Sequence, residues 1–316
     1  MQQAMPLTAY TNTFAGNPLD RAGDRRTSPE WLAEQRQHPG ALALAQWEGR
    51  TLVEPAEGKS VRLAYLDGAM AFEAVGERED RILFLGLWKD APVFAVEFEG
   101  PDPSAGPLQG LGHFEEMRPL GLLLPGPEAG IAATAKAVFE WRRRHRFCSA
   151  CGQESENSDG GWKRVCPACK VEHFPRTDPV TIMLPVKGDR CMLGRGAAWP
   201  EGRMSALAGF MEPGESIEEC CAREMREEAG LVATRVIYHS SQPWPFPSTL
   251  MIGLIAEVES EDARPDQTEL AEIRWFSRDE IKRMLAEGQY DGVHAAPPLA
   301  IAHHLLKAWS EGFGPG

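Results

Sequence analysis

Short apolar runs broken by turns mark the first half of this chain. Ala41-Leu42-Ala43-Leu44, Val61 to Leu66, Arg81 to Leu85 and Pro92 to Val96 read as strands of a small β-rich or α+β domain over residues 31–130. Ile131 to Arg146 is rich in helix formers and ends in a basic run, which predicts a linker helix. Strand-like runs return at Val180 to Val186, Cys191 to Arg195 and Ser205 to Phe210, with Lys187-Gly188-Asp189 as the turn between the first two. Further strands are expected near Val232 to His239, Leu250 to Val258 and Ile273 to Phe276. Ser277-Arg278-Asp279-Glu280 is a capping box that opens one late helix, and Leu299 to Trp309 reads as another. Strands and helices in this order predict a mixed sheet with helices on its faces.

The pattern divides the chain into a leader over 1–30 with no periodicity, an N-terminal domain over 31–130, a linker with a cysteine-rich segment over 131–175, and a larger domain over 176–312. No repeat at a fixed period stands out. Of the 316 residues, 43% are hydrophobic and 25% charged, enough for a packed core. The formal net charge of −13 repels polyphosphate backbones, so general nucleic-acid binding is not expected. A phosphate-bearing substrate would need cations as go-betweens. No apolar stretch is long enough for a membrane span, and the N-terminus lacks a secretory pattern, so a cytoplasmic protein is expected.

Four of the seven cysteines stand as Cys148-x-x-Cys151 and Cys166-x-x-Cys169. Two such turns supply four thiolates to one tetrahedral Zn²⁺ and leave no open position, so a single structural zinc is expected. Cys191, Cys220 and Cys221 lack partners at metal spacing and are read as small core residues. The basic run Arg142 to Arg146 reads as a solvated helix end, with phosphate or RNA contact as the alternative.

A third pattern lies at 209–231. Ser216-x-x-Glu219 is a capping box, Gly230 stands where a helix wants a left-handed end, and Ile217, Cys221 and Met225 recur every four residues. With Ala222 and Ala229 they predict the buried stripe. Glu224, Glu227 and Glu228 then crowd onto another face, and Glu215 can join them from the preceding loop. Clustered hard oxygen ligands suit Mg²⁺ or Mn²⁺. Arg223 is placed to pair with Glu219 or Glu227.

The spacing Gly209-x5-Glu215-x7-Arg223-Glu224-Met225-x-Glu227-Glu228-x-Gly230-Leu231 carries every fixed letter of the Nudix box. A chance match in a chain this long is on the order of one in a million. The region thus resembles the Nudix hydrolases, whose fold is an α/β/α sandwich around a mixed sheet. That resemblance implies cleavage of a nucleoside diphosphate derivative with two or three divalent ions. Glu224, Glu228 and the backbone carbonyl of Ala208 are the implied ligands, Glu227 and Glu215 ligate directly or through water, and Arg223 orients them. Another nucleoside diphosphate derivative such as ADP-ribose is an alternative substrate, and a non-catalytic nucleotide-sensing module is an alternative role.

Past the box comes Ser241-Gln242-Pro243-Trp244-Pro245-Phe246-Pro247-Ser248-Thr249. Its prolines exclude a regular helix and stiffen the chain around Trp244 and Phe246. The stretch closely resembles the signature of the NADH pyrophosphatase subfamily, with Thr249 in place of its last Ser. That second resemblance implies hydrolysis of NADH or NAD⁺ to nicotinamide mononucleotide and AMP, and removal of NAD caps from RNA 5′ ends. It places Gln242 to Thr249, Phe174, Phe210 and Ala302 at the substrate and Glu269 at the metal, with Glu272 as a competing candidate. It also implies a homodimer in which Trp244 reaches the partner's site.

Overall fold

The computed structural model describes residues 12–76 and 78–315, so 1–11 of the expected leader lie outside the described residues. The chain divides into two compact units, one built from the chain before 178 together with Trp244–Ser248, the other from Asp178–Pro243 and Thr249–Gly316.

The first unit holds a seven-stranded sheet of β1 (Leu42–Trp47), β2 (Arg50–Pro55), β3 (Val61–Leu63), β4 (Tyr65–Asp67), β5 (Ile82–Trp88), β6 (Ala91–Phe98) and β7 (His113–Glu115). Its order is β3-β2-β1-β6-β5, with β4 on β1 and β7 on β2. β1 and β6 run parallel, from Leu42 opposite Val93 to Trp47 opposite Phe98. The helices are α1 (Pro29–Gln37), α2 (Gly68–Ala74), α3 (Met117–Leu123) and α4 (Gly126–Arg144). α4 begins at Gly126, not at the expected Ile131, because Pro127 in its first turn has the backbone angle a helix start needs. Leu52, Leu66, Phe72, Phe84 and Phe94 build the core. A three-stranded ribbon of β8 (Glu156–Ser158), β9 (Lys163–Val165) and β10 (Glu172–His173) follows.

The described part of the leader is packed, not loose. Phe14, Leu19 and Ala22 are buried. Asp20 forms a bridge to Leu87, its N–H donating at 3.0 Å and its carbonyl accepting at 2.8 Å. Three buried apolar residues spread over nine positions carry no period, so the sequence pattern is blind to them.

The second unit holds β11 (Asp178–Lys187), β12 (Arg190–Gly196), β13 (Leu207–Phe210), β14 (Ala233–Trp244), β15 (Thr249–Val258) and β16 (Leu270–Ser277). The order is β14-β15-β11-β12-β16, with β13 on β11. β11 and β15 are parallel, from Asp178 opposite Thr249 to Val186 opposite Glu257. Alternation along β11 sorts its side chains between two layers. Ile182, Leu184 and Val186 join Ile281 and Met284 of α6 (Arg278–Glu287) and Leu305, Leu306 and Trp309 of α7 (Ile301–Ser310). Met183 joins Cys221, Met225 and Ala229 of α5 (Ile217–Ala229) on the other face. The result is the expected sandwich of helices around a mixed sheet. Strand β14 overruns its expected end at His239 and continues through Pro243 to Trp244. A small hairpin of β17 (Gln289–Tyr290) and β18 (Val293–His294) precedes α7. Among the described residues no helix is long and apolar enough to cross a membrane.

Gly86 shows how tightly the N-terminal segment is held. Its φ is +146°, and a Cβ there would sit 2.4 Å from the Asp20 carbonyl oxygen. Gly86→Ala is therefore expected to destabilise the first unit by about 1–3 kcal/mol. It should also speed proteolytic nicking near residue 20, read by thermal melts and limited proteolysis. An unchanged melt and nicking pattern would show that the segment is not held there.

Candidate active site

Helix α5 starts where its capping box predicts. Ser216 Oγ accepts the Glu219 N–H at 3.2 Å, and the Glu219 carboxylate accepts the Ser216 N–H at 2.8 Å. Gly230 ends it in the left-handed region at φ +68°. Its buried residues are Cys220, Cys221, Glu224, Met225, Glu228 and Ala229. The expected stripe is thus corrected in part. Ile217 and Ala222 are only half-buried, and Cys220 takes a place in it. Two glutamates expected on the opposite face are buried instead, and Glu227 is exposed.

One guanidinium organises the acidic residues. Arg223 Nε and Nη2 donate to the two oxygens of Glu215 at 2.6 and 2.9 Å. Its Nη1 donates to Glu224 at 2.7 Å and to Glu227 at 3.0 Å, and Nη2 also reaches the Phe210 carbonyl at 2.9 Å. Glu219, an expected partner, is committed to the cap. The Arg223 hydrogen bonds hold the Glu215 carboxyl down at about 2. Burial pushes Glu224 up, with the Arg223 hydrogen bond pulling the other way. Burial also pushes Glu228 up to about 8, and the fields of Glu224, Glu269 and Asp266 add to it.

Room for this cluster comes from Gly209. A Cβ at that position would lie 1.8 Å from the Glu224 carboxyl carbon. β13 also brings Ala208 to α5, where the Glu228 carboxylate accepts a backbone hydrogen bond from Ala208. Glu228 Oε1 is nevertheless buried with no hydrogen-bond partner. A buried, unpartnered carboxylate oxygen among like charges is the donor set that a hard divalent cation completes.

Glu269 belongs to this cluster, since its field bears on both Glu224 and Glu228. Its competitor Glu272 is tied to Arg195 at 3.0 Å. The loop carrying Glu269 is fixed by Asp266, a residue the sequence reading missed. The Asp266 carboxylate accepts the N–H groups of Glu269 and Leu270 at 3.0 and 2.9 Å. The Asp266 N–H donates to the Glu228 carbonyl at 3.0 Å. An Asp three residues before Glu269, in a turn-forming run, was the available signal.

The residues expected at the substrate divide into three groups. Phe210 and Phe174 are exposed, 62% and 61%, and lie in different units. Trp244 and Phe246 pack edge to face at 5.0 Å within the first unit, where both meet Phe14. The Arg118 guanidinium lies 4.2 Å from the Phe246 ring centre. Gln242 and Ala302 are buried. Gln242 Nε2 donates to the Leu299 carbonyl at 2.8 Å and its Oε1 accepts the Ile301 N–H at 2.8 Å, so it anchors the start of α7. Ala302 is part of the sheet–helix core.

The four cysteine sulfurs all lie within 4.8 Å of one another, and no other His, Cys, Asp or Glu group among the described residues meets that spacing. Both turns have the same form. Gly152 and Lys170 donate to the carbonyls of Cys148 and Cys166 at 2.9 and 3.0 Å, with φ of +78° and +63°. The Cys169 N–H holds the Cys166 thiol down at about 6, which favours the thiolate a zinc ion needs. The neighbouring basic run is not a plain solvated end. Arg142 is buried and donates to the carbonyls of Ile82 and Glu79, both at 3.0 Å. Arg144 pairs with Glu140 and Arg146 with Glu154.

Three family descriptions match the chain in order. A NADH pyrophosphatase-like rudimentary NUDIX domain covers 40–141, a NADH pyrophosphatase zinc ribbon domain 143–174, and a NUDIX domain 176–295. The NAD-capped RNA hydrolase NudC of Mycobacterium bovis is 37% identical, over 92% of this chain and 92% of its own. The NAD-capped RNA hydrolase NUDT12 of Homo sapiens is 32% identical, over 94% of this chain and 73% of its own. A solved NUDIX hydrolase from Nitrosomonas europaea aligns with 53% of this chain at 26% identity and a TM-score of 0.41.

Two outcomes follow from the cluster's geometry. Gly209→Ala must displace Glu224, so catalytic turnover of a dinucleotide should fall by about 10²-fold with the fold intact by circular dichroism. Turnover at the wild-type rate would mean that Glu224 can move at no cost. The raised Glu228 carboxyl favours the protonated form in the folded chain. Its contribution to stability is full below the unfolded value of about 4.3 and is lost as pH rises through about 8. In metal-stripped protein, Glu228→Gln should match wild type below about pH 4 and melt higher above about pH 8. Equal melting temperatures at high pH would remove the case for burial at Glu228.

Proposed function

Because the chain belongs to the NADH pyrophosphatase family of Nudix hydrolases, we propose that it hydrolyses the diphosphate bridge of NADH and NAD⁺ to a nicotinamide mononucleotide and AMP. The observation that carries this reading is the buried, unpartnered Glu228 oxygen beside Glu224, with Arg223 fixing the surrounding carboxylates.

Glu224, Glu228, Glu269 and the Ala208 carbonyl are the proposed holders of Mg²⁺ or Mn²⁺. Divalent cations bound there supply charge neutralisation and Lewis acidity at the diphosphate. Arg223 keeps Glu215, Glu224 and Glu227 at fixed distances, so the site needs little rearrangement when the substrate arrives. A carboxylate of the cluster accepts the proton of the attacking water. The water oxygen bonds to phosphorus as the bridging P–O bond breaks, and each mononucleotide leaves with one phosphate. Phe210, exposed directly beside the site glycine, offers a flat face to a nicotinamide or adenine ring. Trp244, Phe246 and Phe174 are further aromatic candidates for the bases.

The same diphosphate bridge joins nicotinamide mononucleotide to the 5′-terminal adenosine of NAD-capped RNA, and the names of the two curated relatives support that substrate as a second one. The cysteine ribbon holds one structural zinc, and its thiolates suit a reducing cytoplasm. The homodimer implied by the subfamily resemblance belongs to the same reading.

The test is metal-dependent turnover of NADH, NAD⁺, ADP-ribose and an NAD-capped oligonucleotide, with products identified. Nicotinamide mononucleotide and AMP should appear from NADH, and Glu224→Gln should lose about 10²–10³-fold in kcat. Preferred cleavage of ADP-ribose, or full activity of the variant, would overturn the proposal.

A further inference from the structure

Glu228 and Glu269 come from distant parts of the chain, one from the last turn of α5 and the other from the loop before β16. A small hard cation tolerates little error in the placement of its oxygen ligands. Something must therefore fix the spacing of these two residues, and the backbone shows what does.

The last carbonyls of a helix have no partners within it. In α5 the Met225 and Arg226 carbonyls accept the N–H groups of Leu231 and Gly230 at 3.1 and 3.0 Å. The Glu228 and Ala229 carbonyls accept the N–H groups of Asp266 and Arg264 at 3.0 and 2.9 Å. The loop before β16 is thereby pinned to the turn that carries Glu228.

Past Asp266 the chain turns sharply. Gln267 has a φ of +66°, a conformation that residues other than glycine seldom adopt. The Asp266 side chain closes this turn. Its Oδ1 accepts the Glu269 and Leu270 N–H groups at 3.1 and 2.9 Å, and its Oδ2 accepts the Glu269 N–H at 3.0 Å. The Glu269 carbonyl accepts the Ala197 N–H at 2.9 Å, so the Glu269 backbone is held at both of its polar groups.

One residue thus bonds to the backbones of two proposed ligands. Its N–H meets Glu228 and its carboxylate meets Glu269. Both carboxylate oxygens are turned onto N–H groups, so the side chain acts on the chain and not on a cation.

We propose that Asp266 is a positioning residue of the carboxylate cluster: it fixes the spacing of Glu228 and Glu269, and through Glu269 it sets the affinity for a divalent cation. The role rests on the cation placement proposed above. It depends on where the acceptor oxygen stands and not on the negative charge, and two variants separate these. Asp266→Asn drops the charge and keeps Oδ1, the oxygen that reaches both N–H groups. Asp266→Glu keeps the charge and moves the acceptor by one methylene, out of the reach at which Asp and Asn close such turns.

The test titrates Mn²⁺ into the full chain by calorimetry, with melting temperatures recorded beside it. Asp266→Glu should weaken Mn²⁺ binding about tenfold or more, the usual loss when the support of a metal ligand is removed. Asp266→Asn should stay within about threefold of wild type. Added to Glu269→Gln, Asp266→Glu should weaken binding no further, because it acts through Glu269. Asp266→Ala, which also lacks the acceptor, replaces Asp266→Glu if that variant fails to fold. The role is overturned if Asp266→Asn costs as much affinity as Asp266→Glu, since charge would then be the cause. A lower melting temperature with unchanged Mn²⁺ affinity would leave the turn merely structural and would overturn it as well. So would a further loss in the Glu269→Gln background. If Glu224→Gln and Glu269→Gln themselves bind Mn²⁺ as wild type does, the cation placement falls and this role falls with it. With those two variants impaired, the other failures count against Asp266 alone.

Discussion

Carboxylates that repel one another are held together at α5, and the rest of the second unit is arranged around that repulsion. Two charges about 4 Å apart near a protein surface interact by about 4 kcal/mol. Glu224 and Glu228 are buried, Glu269 bears on both, and a chain left to maximise stability would separate them. Arg223 offsets part of the repulsion by bonding Glu215, Glu224 and Glu227 at once. It makes no bond to Glu228, whose carboxyl is driven up by burial first and by its neighbours second. On the proposed reading, the remaining deficit of positive charge is what a divalent cation supplies. The site therefore trades stability of the empty chain for affinity toward cations, a compromise common where function needs a strained local arrangement.

Such a compromise needs a rigid surround. The face of the sheet away from α5 provides it through an apolar layer of Ile182, Leu184, Val186, Ile255, Met284, Leu305 and Trp309. Gln242 stitches the start of α7 to β14 through the Leu299 carbonyl and the Ile301 N–H. On the α5 side, pairing of β13 with β11 fixes Ala208 opposite Ile182 and Gly209 opposite Thr181. That pairing decides where the Ala208 backbone and the gap above Gly209 stand relative to Glu224. Asp266 completes the frame by tying the Glu269 loop to the last turn of α5. The β13–β11 pairing and Asp266 bear directly on the carboxylate cluster, while the apolar layer and Gln242 hold α7 on the opposite face of the sheet.

What was legible in the sequence was whatever has a short period or a fixed spacing. The capping boxes at Ser216 and Ser277, the turn at Gly188 and the two cysteine pairs depend on contacts within a few residues, so the sequence states them almost completely. Burial of Glu224 and Glu228 was not legible. A helical wheel shows which residues share a face but not which face the sheet will cover, and the charges argued for the wrong side. The role of Gln242 was hidden because its partners lie near residue 300. The packing of Phe14, Leu19 and Ala22 was hidden for a similar reason, since an isolated apolar residue in a polar stretch has no pattern to betray it. Arg142 reads as one more cation in a basic run until its carbonyl partners from residues 79 and 82 are known.

The least visible feature is that one topology occurs twice. In the second unit β11 pairs antiparallel with β12 and β13 and parallel with β15, while β16 pairs with β12. In the first unit β1 pairs antiparallel with β2 and β4 and parallel with β6, while β7 pairs with β2. α2 thus stands where α5 stands, between the same two strand pairings. The sequences of the two helices share nothing: Gly-Ala-Met-Ala-Phe-Glu-Ala against a thirteen-residue helix carrying Arg223 and the box glutamates. A seven-residue helix is long enough for positions i, i+3 and i+4, but Glu73 is the one acid in α2, so it cannot build such a cluster. The turn from β4 into α2 also lacks an equivalent gap: at Gly68, the first residue of α2, a Cβ would meet the Ala41 side chain and carbonyl and not an acid. Sheet pairing is satisfied by almost any alternating apolar sequence, so the fold survives in both copies. The carboxylate cluster demands particular residues at particular positions, so nothing in the pairing preserves it, and topology alone does not carry the chemistry.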